Sequence, residues 1–254
     1  MYGWRARLGH VSASRGDTFV YEFYRMMPEE FMLLNTTGRI RQLADDHIKR
    51  QLEFIEEAAV DLEQAGADVV IAGGSPMFTM MGYGSDAEVT RHIQSRLKVP
   101  FTVGITAEIE SMRKLGIKKP VVVTPHRDDM NQRMGDFLTK AGFQVQKVGG
   151  LGILKNSEIG AQHEHVSYRL ARKLYSEAPE GDGIFLHCPR WPTIRTVPLL
   201  EEELGIPVIS STQAMIWQCL KLIRVRVRLA GWGRLMETLD EGAQVEAETA
   251  STVS

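Results

Sequence analysis

The chain contains two cysteines, Cys188 and Cys219, in different surroundings. Cys188 ends the run Gly183-Ile184-Phe185-Leu186-His187-Cys188, and Pro189-Arg190-Trp191-Pro192-Thr193 follows it. An apolar run that reads as a buried strand thus delivers a thiol directly into a turn. A helix starting near Thr193 and the cation of Arg190 would both lower a thiol pKa. A thiol so placed can donate or accept a proton near neutral pH or attack carbon. A buried structural cysteine is the other reading, because free cysteine is among the most buried residue types. Cys219 lies in Ala214-Met215-Ile216-Trp217-Gln218-Cys219-Leu220, whose apolar spacing is helical, and it reads as core.

Two further strand ends carry polar chemistry. Val69-Val70-Ile71-Ala72 runs into Gly73-Gly74-Ser75-Pro76, read as a turn or loop. Its backbone N–H groups and the Ser75 hydroxyl can face a carboxylate or an enolate oxygen, the logic of an oxyanion hole. Pro76 removes one such donor. The plain alternative is an ordinary turn. Thr124-Pro125-His126-Arg127-Asp128-Asp129 also leaves a strand and enters a helix. His126 is either a substrate partner and proton carrier near pH 7 or a capping or surface histidine. Met77, Met80 and Met81 read as core or pocket wall. Arg224-Val225-Arg226-Val227-Arg228 alternates charge with valine and reads as an exposed edge or solvated face.

The elements that must position these groups alternate short β-branched runs with helical stretches, the mark of an α/β fold with parallel strands. Strands are expected at 7–13, 31–34, 69–72, 99–103, 120–124, 143–148, 183–187 and 207–210. Helices are expected at 38–64, 86–97, 106–115, 128–141, 161–178, 193–204 and 212–222. The chain also repeats loosely. A helix, a strand, a polar turn, a helix, a Val-Pro or Ile-Pro step, a short strand and a Thr-initiated helix occur around residues 53–106 and again around 161–212. Two such halves facing each other bring Gly74-Ser75 and Cys188 to equivalent strand ends, where parallel sheets bind ligands.

Composition narrows the field. Of 254 residues, 43% are hydrophobic and the formal charge is −2, which gives no basic face for nucleic acid. No apolar run reaches the roughly 18 residues of a membrane span. No apolar leader follows Met1-Tyr2-Gly3-Trp4, so the expectation is a cytoplasmic protein. Two cysteines make neither a disulfide framework nor a thiolate zinc cage, and His163 and His165 would diverge on a helix, so no metal site is expected. The turn at 73–76 matches neither dinucleotide nor P-loop patterns, and no cofactor is expected.

Taken together, the segments resemble a known superfamily. The run 183–188, then Thr193, Leu200-Glu201-Glu202-Glu203-Leu204-Gly205-Ile206-Pro207-Val208-Ile209-Ser210-Ser211, Gln213-Ala214 and Trp217 looks like the signature of arylmalonate decarboxylases and maleate cis–trans isomerases, within the aspartate/glutamate racemase superfamily. Leu8-Gly9-His10-Val11, Thr124-Pro125 with Asp128-Asp129 and Asn131, and Gly231-Trp232-Gly233-Arg234-Leu235 fit the same pattern, so the resemblance spans roughly residues 7 to 236. It implies an α/β protein of two pseudo-symmetric lobes, each a parallel sheet flanked by helices. The expected division is residues 1–104 plus 212–238, then 105–211, with a disordered tail from 239 to 254.

Racemases and isomerases of this kind carry one cysteine per lobe. Here the first-lobe position falls at Gly74, as in the decarboxylases, and Cys188 remains. By the same resemblance Ser75 stands where a threonine helps bind the enediolate, and His126 where a tyrosine is usual. Pro76 replaces a serine, and Pro189-Arg190 replaces a Gly-Gly or Thr-Asn pair. Arg190 adds a rigid cation suited to a carboxylate. The implied activity is a cofactor-independent lyase acting on a small carboxylic acid through an enediolate that Cys188 protonates. Catalytic candidates are Cys188 and His126; substrate-binding candidates are Gly74, Ser75, Arg190, Ser14 and Arg15. The alternatives are a cysteine-dependent isomerase, racemase, hydratase or dehalogenating hydrolase on an unsaturated dicarboxylic acid, and a non-catalytic small-acid binding protein. A homo-oligomer is compatible with either; nucleic-acid and membrane partners are not expected.

Overall fold

The computed structural model describes residues 2–13, 17–38 and 45–240. Two four-stranded parallel sheets dominate it. The first is built from β1 (Ala6–Ser12), β2 (Phe31–Thr37), β3 (Val69–Ala72) and β4 (Phe101–Val103), in the order β2-β1-β3-β4. The second is built from β5 (Pro120–Thr124), β6 (Lys147–Gly150), β7 (Gly183–Leu186) and β8 (Val208–Ser210), in the order β6-β5-β7-β8. The two orders are the same permutation, so the repeat read in the sequence extends to a whole lobe. β3, β5 and β7 are buried along their full length, as central parallel strands covered on both faces must be.

Helices of the first half are α1 (Thr18–Met26), α2 (Asp45–Gln64), α3 (Ser75–Met81), α4 (Ser85–Gln94) and α5 (Gly104–Lys114). The second half has α6 (Asp128–Lys140), α7 (Asn156–Gly160), α8 (Glu164–Ser176), α9 (Thr196–Leu204), α10 (Ser211–Leu222) and α11 (Arg234–Glu237). α5 and α10 follow equivalent strands and pack against each other. Among the described residues no helix is long and apolar enough to cross a membrane.

Several elements differ from the sequence reading, each for a physical reason. α1 was not expected: its aromatic residues are weak helix formers, and it is held by burying Phe19, Phe23 and Met26. α7 is a single short turn of five residues and was also not expected. Ser75-Pro76 is not a loop but the first turn of α3, where proline has no intrahelical N–H to lose. β4 begins at Phe101 rather than Val99, beyond the N–H-less Pro100. α9 begins at Thr196 rather than Thr193, because the N–H groups of Thr193 and Ile194 donate to the Glu22 carboxylate (2.7 and 3.1 Å). His163 is the N-cap of α8 rather than part of it, so its ring lies 4.4 Å from that of His165. Of the expected 38–64 helix, residues 39–44 lie outside the described residues, as do 241–254 of the expected tail; Leu239 is buried within a short 3-10 turn.

β6 also moves, from an expected 143–148 to Lys147–Gly150. Its two glycines are required by close approach. A Cβ at Gly150 would stand 2.3 Å from the His126 carbonyl oxygen and 2.6 Å from Asn131 Nδ2. Gly150→Ala is therefore expected to destabilise the protein by about 1–3 kcal/mol, the usual cost of overpacking. Urea unfolding of the two proteins side by side checks it, and an unchanged midpoint would contradict this account of the strand.

Arg224, Arg226 and Arg228 are exposed while Val227 is buried, so the alternation is a solvated face laid over the core, in a segment that is not a strand. Cys219 is fully buried in α10, and burial pushes its thiol far up.

Candidate active site

The carboxyl ends of β3 and β7 open onto one cavity of about 360 Å³, lined from both lobes. Gly74, Ser75, His126, Cys188 and Arg190 all line it; Ser14 and Arg15 lie outside the described residues. The apolar wall includes Phe19, Met77, Met130 and Ile153. Of the other two methionines singled out in the sequence, Met80 is half-buried and Met81 exposed.

Cys188 and Gly74 are structural equivalents. Each stands two residues beyond its strand. The residue before each donates its N–H to a neighbouring strand at 2.8 Å, His187 to the Val123 carbonyl and Gly73 to that of Val11. The residue three positions on then closes a turn, Trp191 N–H to the Cys188 carbonyl (3.0 Å) and Met77 N–H to that of Gly74 (2.8 Å). The two also share a left-handed backbone, φ 107° at Gly74 and 102° at Cys188. Glycine adopts that region freely; a cysteine there is strained. Arg224 is the other non-glycine residue with positive φ among the described residues.

The electrostatics differ from the expectation. Burial is the largest influence on the Cys188 thiol and pushes its pKa up; Arg190 and the N–H groups of Arg190 and Trp191 oppose it, while Glu108 adds to it. Burial thus outweighs the Arg190 cation, and α9 begins at Thr196 rather than at Thr193. Desolvation favours the protonated thiol over the thiolate.

His126 is 8% exposed. Burial, then His187 and Arg190, hold its pKa at about 3. Such a shift favours the neutral imidazole near neutral pH. Its loop is fixed by its N–H donating to Thr124 Oγ1 (2.9 Å) and by Asn131 Nδ2 donating to its carbonyl (3.3 Å). The Ser75 hydroxyl donates to Glu108 Oε2 (3.1 Å). A hydroxyl has one proton, so Ser75 offers a ligand lone pairs rather than the donor the sequence reading assigned it.

Four polar residues behind or beside the cavity escaped the sequence reading as site residues. His10 pairs with Asn35 (2.8 Å), and burial holds its pKa at about 4 against that bond, with Arg190 adding to the depression. The His187 ring lies 5.4 Å from that of His126. Ser211 Oγ accepts the Cys188 N–H (2.9 Å) and donates to Glu108 Oε1 (2.6 Å). Glu108 itself is completely buried, with His187 Nδ1 3.4 Å from Oε1. A signal existed for Glu108: it falls on the apolar stripe Ile105, Ile109 and Met112 of an amphipathic helix, where a carboxylate is out of place.

Two like-ordered parallel sheets with a cleft at their equivalent strand ends, one end carrying a cysteine, define an enzyme of the aspartate/glutamate racemase superfamily. The family model described as arylmalonate decarboxylase matches residues 22–236, and the chain belongs to that family. It is 28% identical over 187 residues to the arylmalonate decarboxylase of Bordetella bronchiseptica, covering 73% of this chain and 78% of that protein. It is 22% identical over 244 residues to the maleate isomerase of Geobacillus stearothermophilus, covering 91% and 96%. Among solved structures, a cysteine-to-serine mutant of Nocardia farcinica maleate cis–trans isomerase with a covalently bound succinylcysteine intermediate superposes with a TM-score of 0.84, at 22% identity, covering 92% of this chain and 98% of that one.

Proposed function

We propose that this chain is a cofactor-independent lyase that removes CO₂ from a small carboxylic acid and protonates the resulting enediolate from Cys188. One observation carries the reading: the cavity holds a single thiol, kept protonated by burial, while the equivalent position in the other lobe is Gly74. Such a thiol is suited to deliver a proton to carbon. The Arg190 guanidinium pairs with the carboxylate that remains, and loop N–H groups around Gly74 receive charge as the enediolate forms. His126, neutral, orients the substrate across from Arg190. The lobes divide at 104/105 and 211/212 on this reading, supported by the packing of α10 on β3 and α1.

A second reading has one observation in its favour: the chain aligns along 91% of its length with maleate isomerases, and a relative carries a succinylcysteine. Covalent addition would need Cys188 as a thiolate, which its buried setting opposes.

Proton NMR in D₂O with arylmalonates, maleate, aspartate, glutamate and substituted muconates separates the two. The expected result is loss of a malonate-type substrate with one deuterium at the new C–H bond, absent in Cys188→Ala. Turnover of maleate with a Cys188 adduct in the mass spectrum would overturn the lyase reading in favour of the isomerase.

A further inference from the structure

We infer that Glu108 is the positioning residue for Cys188: one buried carboxylate clamps the Ser75 and Ser211 hydroxyls, and Ser211 passes the clamp on to the Cys188 backbone N–H. The inference rests on the reading of Cys188 as the proton donor. Its geometry is complete within the protein. Oε2 accepts from Ser75 at the start of α3 (3.1 Å), Oε1 accepts from Ser211 at the start of α10 (2.6 Å), and Ser211 Oγ accepts the Cys188 N–H (2.9 Å). A residue held at φ 102° needs surroundings that over-determine it, and this chain of bonds fixes the strained residue at its amide.

The pseudo-symmetry supplies a control inside the molecule. Ser211 opens α10 directly after β8, as Gly104 opens α5 directly after β4. Four residues on, Glu108 in α5 corresponds to Met215 in α10. Behind Cys188 the pair is therefore Ser211 with Glu108, cross-linked by a hydrogen bond. Behind Gly74 the equivalent pair is Gly104 with Met215, whose sulfur lies 3.6 Å from where a Gly104 Cβ would be. On the thiol side the relay reaches the Cys188 amide, whereas on the other side it ends at the Ser75 hydroxyl.

Glu108 acts on the thiol electrostatically as well. Its negative charge favours the protonated form, against the Arg190 cation on Cys188's own turn. The other titratable groups around the cavity are His187, which precedes Cys188, His126 on the β5–α6 connection, His10 on β1 and Arg127 at the start of α6.

The test is the pH dependence of iodoacetamide alkylation, read on the Cys188 peptide by mass spectrometry, for the wild type, Glu108→Gln and Ser211→Ala. Glutamine keeps an acceptor for Ser211 and removes the charge. The expected result is a fall of about one unit in the alkylation pKa in Glu108→Gln, with less than half that in Ser211→Ala. An unchanged profile in Glu108→Gln overturns the inference. With the substrate from the NMR panel, Glu108→Ala and Ser211→Ala should each lower kcat by about 10- to 100-fold with KM within about threefold, and the double variant should be no worse than the poorer single one; additive losses would overturn the relay. Alkylation needs no substrate, so a silent NMR panel removes the lyase reading while leaving Glu108 tested. Should Glu108→Gln fail to fold, amide exchange at Cys188 carries the test: at least tenfold faster in Ser211→Ala supports the relay, and unchanged exchange overturns it.

Discussion

Replacing Cys188 with alanine should lower turnover by about 10²–10⁴-fold, the usual contribution of a positioned proton donor, while substrate affinity stays within a few-fold. Both Cys188 and Arg190 line the cavity, and on the proposed function Arg190 meets the carboxylate while the thiol delivers the proton, so binding and proton delivery would reside in different side chains. Isothermal titration of each variant with the substrate, beside its kcat, checks the split. Loss of affinity in step with loss of turnover would show that the thiol holds the ligand instead. The backbone adds a second arm. At φ 102° an alanine keeps the strain that a glycine relieves, so Cys188→Gly should be more stable than Cys188→Ala by about 1 kcal/mol. Equal stability of the two would mean that the turn imposes no strain at this position.

Acid should destabilise this protein below about pH 6. His10 and His126 have folded pKa values of about 4 and about 3, against an ordinary value of 6.5. Burial is the main cause in both, and the Arg190 charge adds to it. A depressed folded pKa means that the unfolded chain binds more protons, so stability is present above pH 6.5 and is lost as pH falls toward 4. At 1.36 kcal/mol per unit the two histidines together are worth up to about 8 kcal/mol. Glu22 works in the opposite sense. Burial raises its folded pKa to about 7 from 4.5, so its contribution is present at low pH and lost as pH rises through 7. Its offset is about 3 kcal/mol on the same scale; between pH 7.5 and 4.5 the histidines together lose about 5 kcal/mol, about two units each, so the net acid loss over that interval is about 2 kcal/mol. Urea unfolding at pH 7.5 and 4.5 measures it, and His126→Phe should flatten the dependence. A stability that holds or rises between those pH values would refute this account of the histidines.

The sequence revealed most of what positions the site and less of what tunes it. β3 and β5 could be bounded to the residue because a run such as Val69-Val70-Ile71-Ala72 has only one way to be buried. Cys188, Gly74, Ser75, His126 and Arg190 were legible because each sits at a strand end, and strand ends are local features. Glu108 and Ser211 were not singled out as site residues, because their meaning lies in a meeting of residues 103 positions apart. The direction of the Cys188 pKa was misjudged for a related reason. The cation and the helix end that lower a thiol pKa can be read from neighbours in the chain, whereas desolvation depends on what the other lobe lays over the site. α1 was missed because burial of Phe19 and Phe23, not propensity, holds it in place.

The matched backbone at Gly74 and Cys188 bears on handedness. Two positions related by a pseudo-two-fold look at a planar intermediate from its two sides. A thiol at both would let protons come and go from either side and would blur the configuration at carbon. On the proposed lyase reading, a hydrogen atom at Gly74 and a thiol only at Cys188 would give a prochiral substrate its proton from one side, and the product would leave as one mirror-image form. On that reading the cavity's single thiol is a chiral choice written into an otherwise nearly symmetric scaffold.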